Sequence, residues 1–217
     1  ILAIKEFNDD QTIVFGTKKG LVKRTKLSEF NRSARNGIVA ITLNQDDEVV
    51  NVGLTSGDML ITLATKKGKS ITFDEREIKV VSRSGKGIRG IHLDEDDEVV
   101  SLSIHKGFSE LFIATQKGIG KRTPLSLFKT KRRGGKGTRV ITIDEKSGFV
   151  IGTCVVEESD QLILMTKHGN ILKILANEIK SFGKSAKGSP VIRLRTTEDE
   201  LIAIDRNSEK EEQKNEE

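Results

Sequence analysis

The sequence contains no tyrosine and no tryptophan, and it has one cysteine and two prolines among 217 residues. A single thiol cannot form a disulfide within the chain, and the apolar setting of Cys154 predicts a buried strand residue rather than a reactive site. We therefore expect a reducing, cytoplasmic environment. The apolar runs are no longer than strands, far short of the roughly 20 residues that a membrane helix requires, so no membrane partner is expected.

Residues that commonly carry out catalysis or bind metals are also scarce. The three histidines, His92, His105 and His168, lack the spacing of metal ligands, so neither a metal site nor histidine catalysis is expected. The aromatic residues are nine phenylalanines, which all fall in strand-like or strand-end segments. This placement disfavours a single-strand binder, because such proteins stack successive bases on exposed aromatic rings. We expect no cofactor in this chain.

Charge is abundant and unevenly distributed. Residues 206–217 are expected to form an acidic flexible tail, because residues 208–217 contain five glutamates and two lysines. Residues 1–207 hold 35 Lys and Arg against 27 Asp and Glu, a net charge of +8. That excess of positive charge favours a polyanionic partner.

Two sequence signatures repeat with the same period. The first is an apolar strand that ends in Thr and a turn with Gly, and its glycines are spaced by 48, 50 and 51 residues: Ile13–Gly20, Leu60–Gly68, Leu111–Gly118 and Leu162–Gly169. The second is a small, basic loop whose closing glycines are 50, 50 and 51 residues apart: Ser33–Gly37, Ser82–Gly87, Lys131–Gly137 and Gly183–Gly188. The chain therefore contains four copies of a unit of about 50 residues.

Each unit is expected to form about four short strands. Its apolar runs are β-rich and bounded by turn signals, and the glycines of the first signature supply the positive φ of a hairpin turn. Leu125–Phe128 and Ala176–Ile179 are expected to form single helical turns, and no longer helix is evident. Four-stranded units at this period predict an all-β, propeller-like fold of about four blades within residues 1–205.

The basic loops recur in phase, with acidic clusters several residues after them. Equal phase in a blade array means equal position, so we expect a curved basic belt that neutralises the phosphates of bent duplex DNA without reading its sequence. The candidate DNA-binding residues on these loops are Arg32, Arg35, Arg83, Lys86, Arg89, Lys131, Arg132, Arg133, Lys136, Arg139, Lys184 and Lys187.

Lys131–Gly137, Lys-Arg-Arg-Gly-Gly-Lys-Gly, is the sharpest motif. Gly134, Gly135 and Gly137 remove side-chain bulk, so that backbone N–H groups could approach a phosphate. Arg132 and Arg133 could offer forked donors to the phosphate oxygens. We therefore include the three glycines among the candidate DNA-binding residues.

This motif differs only in its first residue from the Q-R-R-G-G-K-G box of the DNA gyrase C-terminal domain family. Lys121–Phe128 and Gly85–Ile91 also resemble that family's repeats, and the resemblance runs from Ile1 to about Asp205. It implies a β-pinwheel in which adjacent blades exchange strands and DNA wraps around the rim. It also adds Lys121 and Arg122 to the candidate DNA-binding residues.

Two departures from the family pattern affect the prediction. The box begins with Lys131 instead of Gln, and it lies in the third of four repeats, whereas the family's usual box lies in the first blade of six. We therefore expect the later part of a six-bladed domain, with about two blades upstream. The start at Ile1, without a methionine or a leader, also predicts a fragment of a longer polypeptide.

The resemblance further implies a part in an ATP-dependent type II topoisomerase of the bacterial cytoplasm and nucleoid. The expected partners are duplex DNA, the remainder of the gyrase A protein and the gyrase B protein. Such enzymes cleave DNA through a covalent tyrosine. Because this chain has no tyrosine, we expect no catalytic site in it. Cleavage, ATP and Mg²⁺ would then belong to other parts of the enzyme, and this domain would direct negative supercoiling.

Two alternatives stay open. The A-type subunit of topoisomerase IV has a similar repeat domain with degenerate boxes. A propeller-like protein-interaction scaffold would explain the repeats, but it would not explain basic loops in phase. Two further motifs are weaker: Gly85–Gly90 matches a dinucleotide-binding pattern without its helix, and Gly183–Ser189 lacks the lysine of a phosphate-binding P-loop.

Overall fold

The computed structural model describes residues 2–31 and 36–207. The candidate residues Arg32 and Arg35 and the acidic tail beyond Asn207 lie outside the described residues. Within them the chain forms these strands: β1 (Thr12–Thr17), β2 (Leu21–Lys26), β3 (Val49–Thr55), β4 (Leu60–Thr65), β5 (Lys69–Asp74), β6 (Ile88–Arg89), β7 (Val99–His105), β8 (Glu110–Thr115), β9 (Ile119–Pro124), β10 (Thr138–Arg139), β11 (Val150–Val156), β12 (Gln161–Thr166), β13 (Ile171–Leu175), β14 (Ser189–Pro190) and β15 (Leu201–Asn207).

Helical structure in the described residues is limited to short 3-10 turns. They are Leu27–Phe30, Glu75–Glu77, Leu125–Leu127 and Ala176–Glu178. Each follows the second strand of a hairpin, and the last two confirm the helical turns predicted from the sequence. No helix in the described part of the chain is long and apolar enough to cross a membrane.

The chain divides into two compact units. The first comprises Ile1–Thr65, Ser70–Lys106 and Lys129–Thr138. The second comprises Lys66–Lys69, Gly107–Phe128 and Arg139–Glu217. The last strand of the second unit, β15, runs to Asn207, two residues past the domain end expected from the sequence.

In the first unit one sheet has the strand order β3-β1-β2-β6, and a second sheet, almost entirely within this unit, has the order β10-β5-β4-β7. In the second unit the orders are β11-β8-β9-β14 and β13-β12-β15. An all-β fold of four propeller-like repeats is therefore confirmed. The prediction of four strands is wrong for the last sheet, where no further described strand pairs with β13.

Neighbouring repeats exchange a short strand. β6 belongs to the second repeat but pairs antiparallel with β2 of the first, with Leu21 opposite Arg89 and Val22 opposite Ile88. β14 pairs with β9 in the same way, with Gly120 opposite Ser189. Each exchanged strand directly follows a basic loop, so the exchange fixes one end of that loop to the preceding sheet.

In the first three sheets both hairpin strands lie inside the sheet, and in the last sheet β12 does so while β13 lies at the edge. In β1, β4, β5 and β8 consecutive residues are buried, so both faces are covered, and Val14, Ile61, Phe73 and Phe112 are among them. In β12 burial alternates along the strand, with Leu162 and Leu164 buried. Full burial of such a side chain contributes about 1.5–3 kcal/mol. The hairpin-turn glycines have φ values between +76° and +81°, as the turn prediction requires.

Cys154 and His105 both lie in strands. Cys154 is a free thiol in β11, and burial raises its pKa to about 12, so the inert thiolate-poor form predominates. His105 is buried in β7, 2.8 Å from the hydroxyl of Thr62, and burial lowers its pKa to about 4. The ring is therefore neutral at pH 7 and has a structural partner.

Candidate nucleic-acid interface

The described basic loops start from a common anchor. At the beginning of each loop, a backbone N–H donates to a carbonyl in the second hairpin strand of the preceding repeat, which ties the loop to that sheet. The donors and acceptors are Val81 and Arg24 at 2.9 Å, Lys131 and Thr72 at 2.8 Å, and Phe182 and Arg122 at 2.8 Å.

Arg133 is bound to its own protein rather than held free for a ligand. Its backbone N–H donates to Oε2 of Glu77 at 2.9 Å, and its Nε donates to the Glu77 carbonyl at 3.2 Å. Its guanidinium also donates to the carbonyl of Arg89. Three hydrogen bonds therefore commit this side chain and its amide to holding the loop.

Arg83 occupies the matching place in the preceding loop. Its backbone N–H donates to Oε2 of Glu29 at 2.7 Å, and its guanidinium donates to the carbonyl of Val39. In two repeats, therefore, an arginine at the equivalent position of the basic loop is held by a glutamate at an equivalent position.

Two of the three glycines of the Lys131–Gly137 box, Gly134 and Gly137, have positive φ values and structural contacts within the protein. The N–H of Gly134 donates to the carbonyl of Gly90 at 2.8 Å, so that amide is not offered to a phosphate. Gly137 has φ +68°, and a Cβ there would lie 2.6 Å from the Ser70 carbonyl oxygen. The structure therefore gives a folding reason for glycine at positions where the sequence indicated phosphate access.

The second and third basic loops lie side by side within the first unit. Besides the bond from Gly134 to Gly90, the N–H of His92 donates to the carbonyl of Gly135 at 2.9 Å. These contacts join the end of one loop to the middle of the next. The two loops therefore present their free side chains from one connected segment of backbone.

Five cationic side chains on this pair of loops and on the short strand β6 are exposed. Their side chains make no hydrogen bond or ion pair with any residue that the structure describes, unlike Arg83 and Arg133. We call them the basic cluster: Lys86, Arg89, Lys131, Arg132 and Lys136. Solvated cations on a rigid backbone are suited to phosphate oxygens, which need charge and donors but no particular base.

Lys121 was expected to contact DNA, but in the structure this residue is buried. Its Nζ donates to the carbonyls of Gly183 and Lys184 at 2.7 and 2.6 Å, and burial lowers its pKa to about 8. Lys23 is buried in the same way beneath Arg83, whose carbonyl accepts from its Nζ. Both lysines support a basic loop from below.

Arg122 is likewise withdrawn from the surface. Only 7% of it is exposed, its Nε donates to the Ile179 carbonyl at 2.8 Å, and its guanidinium pairs with Glu110. β9 lies between two other strands, so consecutive residues of this strand are covered. We therefore leave Lys121 and Arg122 out of the proposed interface.

The fourth basic loop, in the second unit, has fewer free cations. Lys187 is 2.6 Å from Asp144, and this hydrogen bond holds the pKa of the Asp144 carboxyl below its usual range. The Nζ of Lys184 lies 5.3 Å from the centre of the Phe128 ring. Arg139, at the end of the third loop, is exposed.

The acidic clusters have a structural role beside the hairpin turns. Oδ1 of Asp47 accepts the N–H of Lys19 at 2.9 Å, and Oδ1 of Asp199 accepts the N–H of His168 at 3.1 Å. Carboxylates also pair with turn lysines, as Glu200 does with Lys117 at 3.1 Å. The hairpin-turn lysines are therefore partly compensated, whereas the basic cluster is not.

Sequence reasoning missed two kinds of residue. Glu29 and Glu77 hold the arginine loops, and the available signal was an acidic residue at the same phase before each Arg-containing loop. Phe108, expected in a strand-like setting, is 93% exposed in the turn between β7 and β8. Phe7 and Phe149 are exposed to a smaller extent, at 39% and 41%. A platform for successive bases requires a series of exposed rings, and these three lie in separate segments of the chain.

The alternative motifs do not gain support as sites. Gly85–Gly90 contains the short strand β6 and is not followed by a helix, so it lacks the helix N-terminus of a dinucleotide site. In the described part of the chain, no group of three or more His, Cys, Asp or Glu residues is placed to hold a metal ion.

The chain is similar to proteins of known family. The model of a family described as the DNA gyrase C-terminal domain, beta-propeller, matches residues 11–56, 60–106, 109–156 and 160–208. The DNA gyrase A protein of Buchnera aphidicola subsp. Acyrthosiphon pisum (strain APS) is 52% identical over 202 residues, which cover 93% of this chain and 24% of the relative. The chain thus spans about a quarter of the length of the curated relatives it matches.

Two solved structures are similar in fold and sequence. The C-terminal domain of DNA topoisomerase IV has a TM-score of 0.87 and 27% identity, and the match covers 94% of this chain and 64% of that one. The DNA gyrase A C-terminal domain has a TM-score of 0.85 and 27% identity, covering 94% of this chain and 68% of that one.

Proposed function

The chain belongs to the family of DNA gyrase C-terminal domains with a β-propeller fold, and on this premise we propose that it binds, bends and wraps duplex DNA. Contact is made through phosphates, with little preference for sequence. The basic cluster is the observation that supports this function, because its five side chains are exposed and lack partners in the described residues.

The mechanism divides the work between two sets of residues. Lys86, Arg89, Lys131, Arg132 and Lys136 neutralise phosphates, while Arg83, Arg133 and the buried lysines keep the loops in place. Bending a site of 20–30 bp by 40–90° costs about 1–6 kcal/mol, so several phosphate contacts must offset it. Arg139, Lys184 and Lys187 supply further positive charge from the second unit.

In the whole protein, we propose that the wrapped DNA is presented to the rest of a gyrase A protein, in complex with the gyrase B protein. A fixed wrapping direction biases strand passage toward negative supercoils. Cleavage, ATP and Mg²⁺ are assigned to the other parts of the enzyme. We place the protein in the bacterial cytoplasm, with the nucleoid.

The second candidate is the equivalent domain of topoisomerase IV, because the fold is as similar to that enzyme's domain, with a TM-score of 0.87, as to the gyrase domain, with 0.85. The nearly intact Lys131–Gly137 box favours gyrase. Wrapping separates the two proposals: nicked circles ligated with the gyrase-type domain bound should trap a clear change in linking number. A chain that binds duplex tightly but traps none would favour the topoisomerase IV assignment.

Salt dependence tests the phosphate contacts. With Arg139, the basic cluster provides six exposed cations, and six contacts predict a slope of log K against log salt of about −5. Affinity should then fall about 10³-fold between roughly 50 and 200 mM salt. An affinity that hardly changes over this range would rule out the electrostatic mechanism and favour a protein-interaction scaffold.

A further inference from the structure

We propose that Glu77, together with Glu29 in the preceding repeat, is a positioning residue for DNA wrapping. Each carboxylate holds the basic loop of the next repeat in the conformation that presents its free cations. The inference rests on the proposed DNA-binding function. It assigns part of that function to negatively charged residues that do not contact DNA.

Glu77 accepts two hydrogen bonds from a single residue of the loop. Its side chain accepts the backbone N–H of Arg133, and its carbonyl accepts Nε of the same residue. The 3-10 turn that carries Glu77 is itself fixed: Oδ1 of Asp74 accepts the N–H of Arg76 at 2.8 Å, and Ile78 beyond the turn is fully buried. The position of the Glu77 carboxylate is therefore fixed by the turn that carries it.

The residue that Glu77 holds, Arg133, is next to exposed members of the basic cluster. Arg133 directly follows Arg132 and Lys131, whose side chains are exposed. Its guanidinium reaches the carbonyl of Arg89, another member of the basic cluster. Loss of the hydrogen bond to Glu77 would free the centre of the Lys131–Gly137 box to move without removing any positive charge from it.

The other repeats supply internal comparisons. Glu29 occupies the same position in its 3-10 turn and makes the same bond to the N–H of Arg83. In the third repeat the position is Leu127, which has no carboxylate, and the following loop accepts hydrogen bonds from the buried Lys121, much as the Arg83 loop does from Lys23. In the fourth repeat it is Glu178, which is exposed and makes no hydrogen bond or ion pair with any residue that the structure describes.

Electrostatics alone and positioning predict opposite results. Removing a negative charge close to a phosphate-binding surface should strengthen DNA binding if charge is all that matters. If Glu77 positions the loop, its loss should weaken wrapping, although the net charge becomes more favourable. The sign of the effect therefore decides between them.

The experiment compares Glu77→Leu, Glu77→Gln and Glu178→Leu in the full chain. Leucine imitates the third repeat, glutamine keeps an acceptor oxygen without the charge, and Glu178 is the matched control. We expect Glu77→Leu to trap less than about half of the wild-type linking-number change, because an unmade hydrogen bond leaves the loop unfixed. Glu77→Gln should keep most of the linking-number change, and Glu178→Leu should keep all of it.

Two results would overturn the proposal. One is wrapping by Glu77→Leu that equals or exceeds the wild type, and the other is a defect in Glu77→Gln as large as that in Glu77→Leu. If Glu77→Leu does not fold, as judged by its circular dichroism, Glu29→Leu is subjected to the same comparison with wild type and with Glu29→Gln.

A measurement without DNA separates this proposal from the proposed function. Hydrogen exchange at the Arg133 amide should be about tenfold or more faster in Glu77→Leu than in wild type, and close to wild type in Glu77→Gln. If the wild-type chain binds no DNA, the proposed function fails, and the loop-holding role then stands or falls on this exchange rate. Unchanged exchange in Glu77→Leu would refute that role as well.

Discussion

Arg132 and Arg133 are adjacent in sequence and differ in what they contact, which makes single substitutions informative. Arg132 is exposed and lacks a partner among the described residues, whereas Arg133 makes side-chain hydrogen bonds to the carbonyls of Glu77 and Arg89. We predict that Arg132→Ala changes DNA binding without changing stability. Arg133→Ala should change stability first.

The expected magnitudes follow from these contacts. Hydrogen bonds from charged donors contribute about 1.5–3 kcal/mol when buried. Because Arg133 is partly exposed, we expect its two side-chain bonds to contribute about 2 kcal/mol together. Arg132→Ala should alter the free energy of unfolding by less than about 0.5 kcal/mol. It should, however, make the salt slope of DNA binding shallower by about 0.9, the value of one phosphate contact.

Two assays on the same three proteins test this prediction: urea unfolding and duplex titration at four salt concentrations. Arg133→Ala should lower the urea midpoint and leave the salt slope near the wild-type value, although its wrapping should be reduced. The assignment would be refuted by the reverse pattern, in which Arg133→Ala loses a full contact from the salt slope and keeps its midpoint.

Two further substitutions probe the supports of the loops. Lys121→Met should leave the salt slope of DNA binding unchanged. Burial lowers the pKa of Lys121 in the folded chain from 10.5 to about 8, so between these pH values the unfolded chain binds more protons than the folded chain. The stability of the wild type should therefore rise relative to that of the variant by up to about 3 kcal/mol from pH 7 to 10. Urea midpoints at both pH values check this, and a constant difference would contradict it. Gly137→Ala should destabilise the chain by about 1–3 kcal/mol through positive φ and contact with Ser70, whereas Gly183→Ala, with open space around it, should be near neutral; equal thermal midpoints for the two variants would contradict this.

The repeat period predicts the architecture well because it reflects physical requirements shared by every copy. Each repeat needs a glycine at its hairpin turn and a run of apolar residues in the first hairpin strand, and both are visible in the sequence. The three-stranded last sheet was not predicted, because a strand's partner depends on which other repeat lies beside it. Strand exchange itself came from the family resemblance, not from the residues.

The candidate interface was predicted less well, because sequence gives the charge of a residue but not its direction. Lys121 and Lys131 look alike in the sequence, but the first lies inside a sheet and the second starts a loop. A lysine in a strand flanked on both sides by other strands is a poor surface candidate, and the alternation in Ile119–Pro124 offered no apolar face to reveal this. The holding role of Arg133 depends on Glu77, 56 residues earlier, a separation at which pairing cannot be inferred from one sequence.

The exchanged strands mean that the unit of duplication and the unit of folding are out of register. A 50-residue stretch of gene that encodes one repeat carries the basic loop and short strand of the preceding sheet, as β6 completes the sheet of β2 and β14 the sheet of β9. When one repeat is gained or lost, a basic loop and its short strand must therefore pair with the hairpin of a different repeat. A repeat can therefore be added or removed without breaking a sheet only if its basic loop and short strand fit the hairpin of the new neighbour.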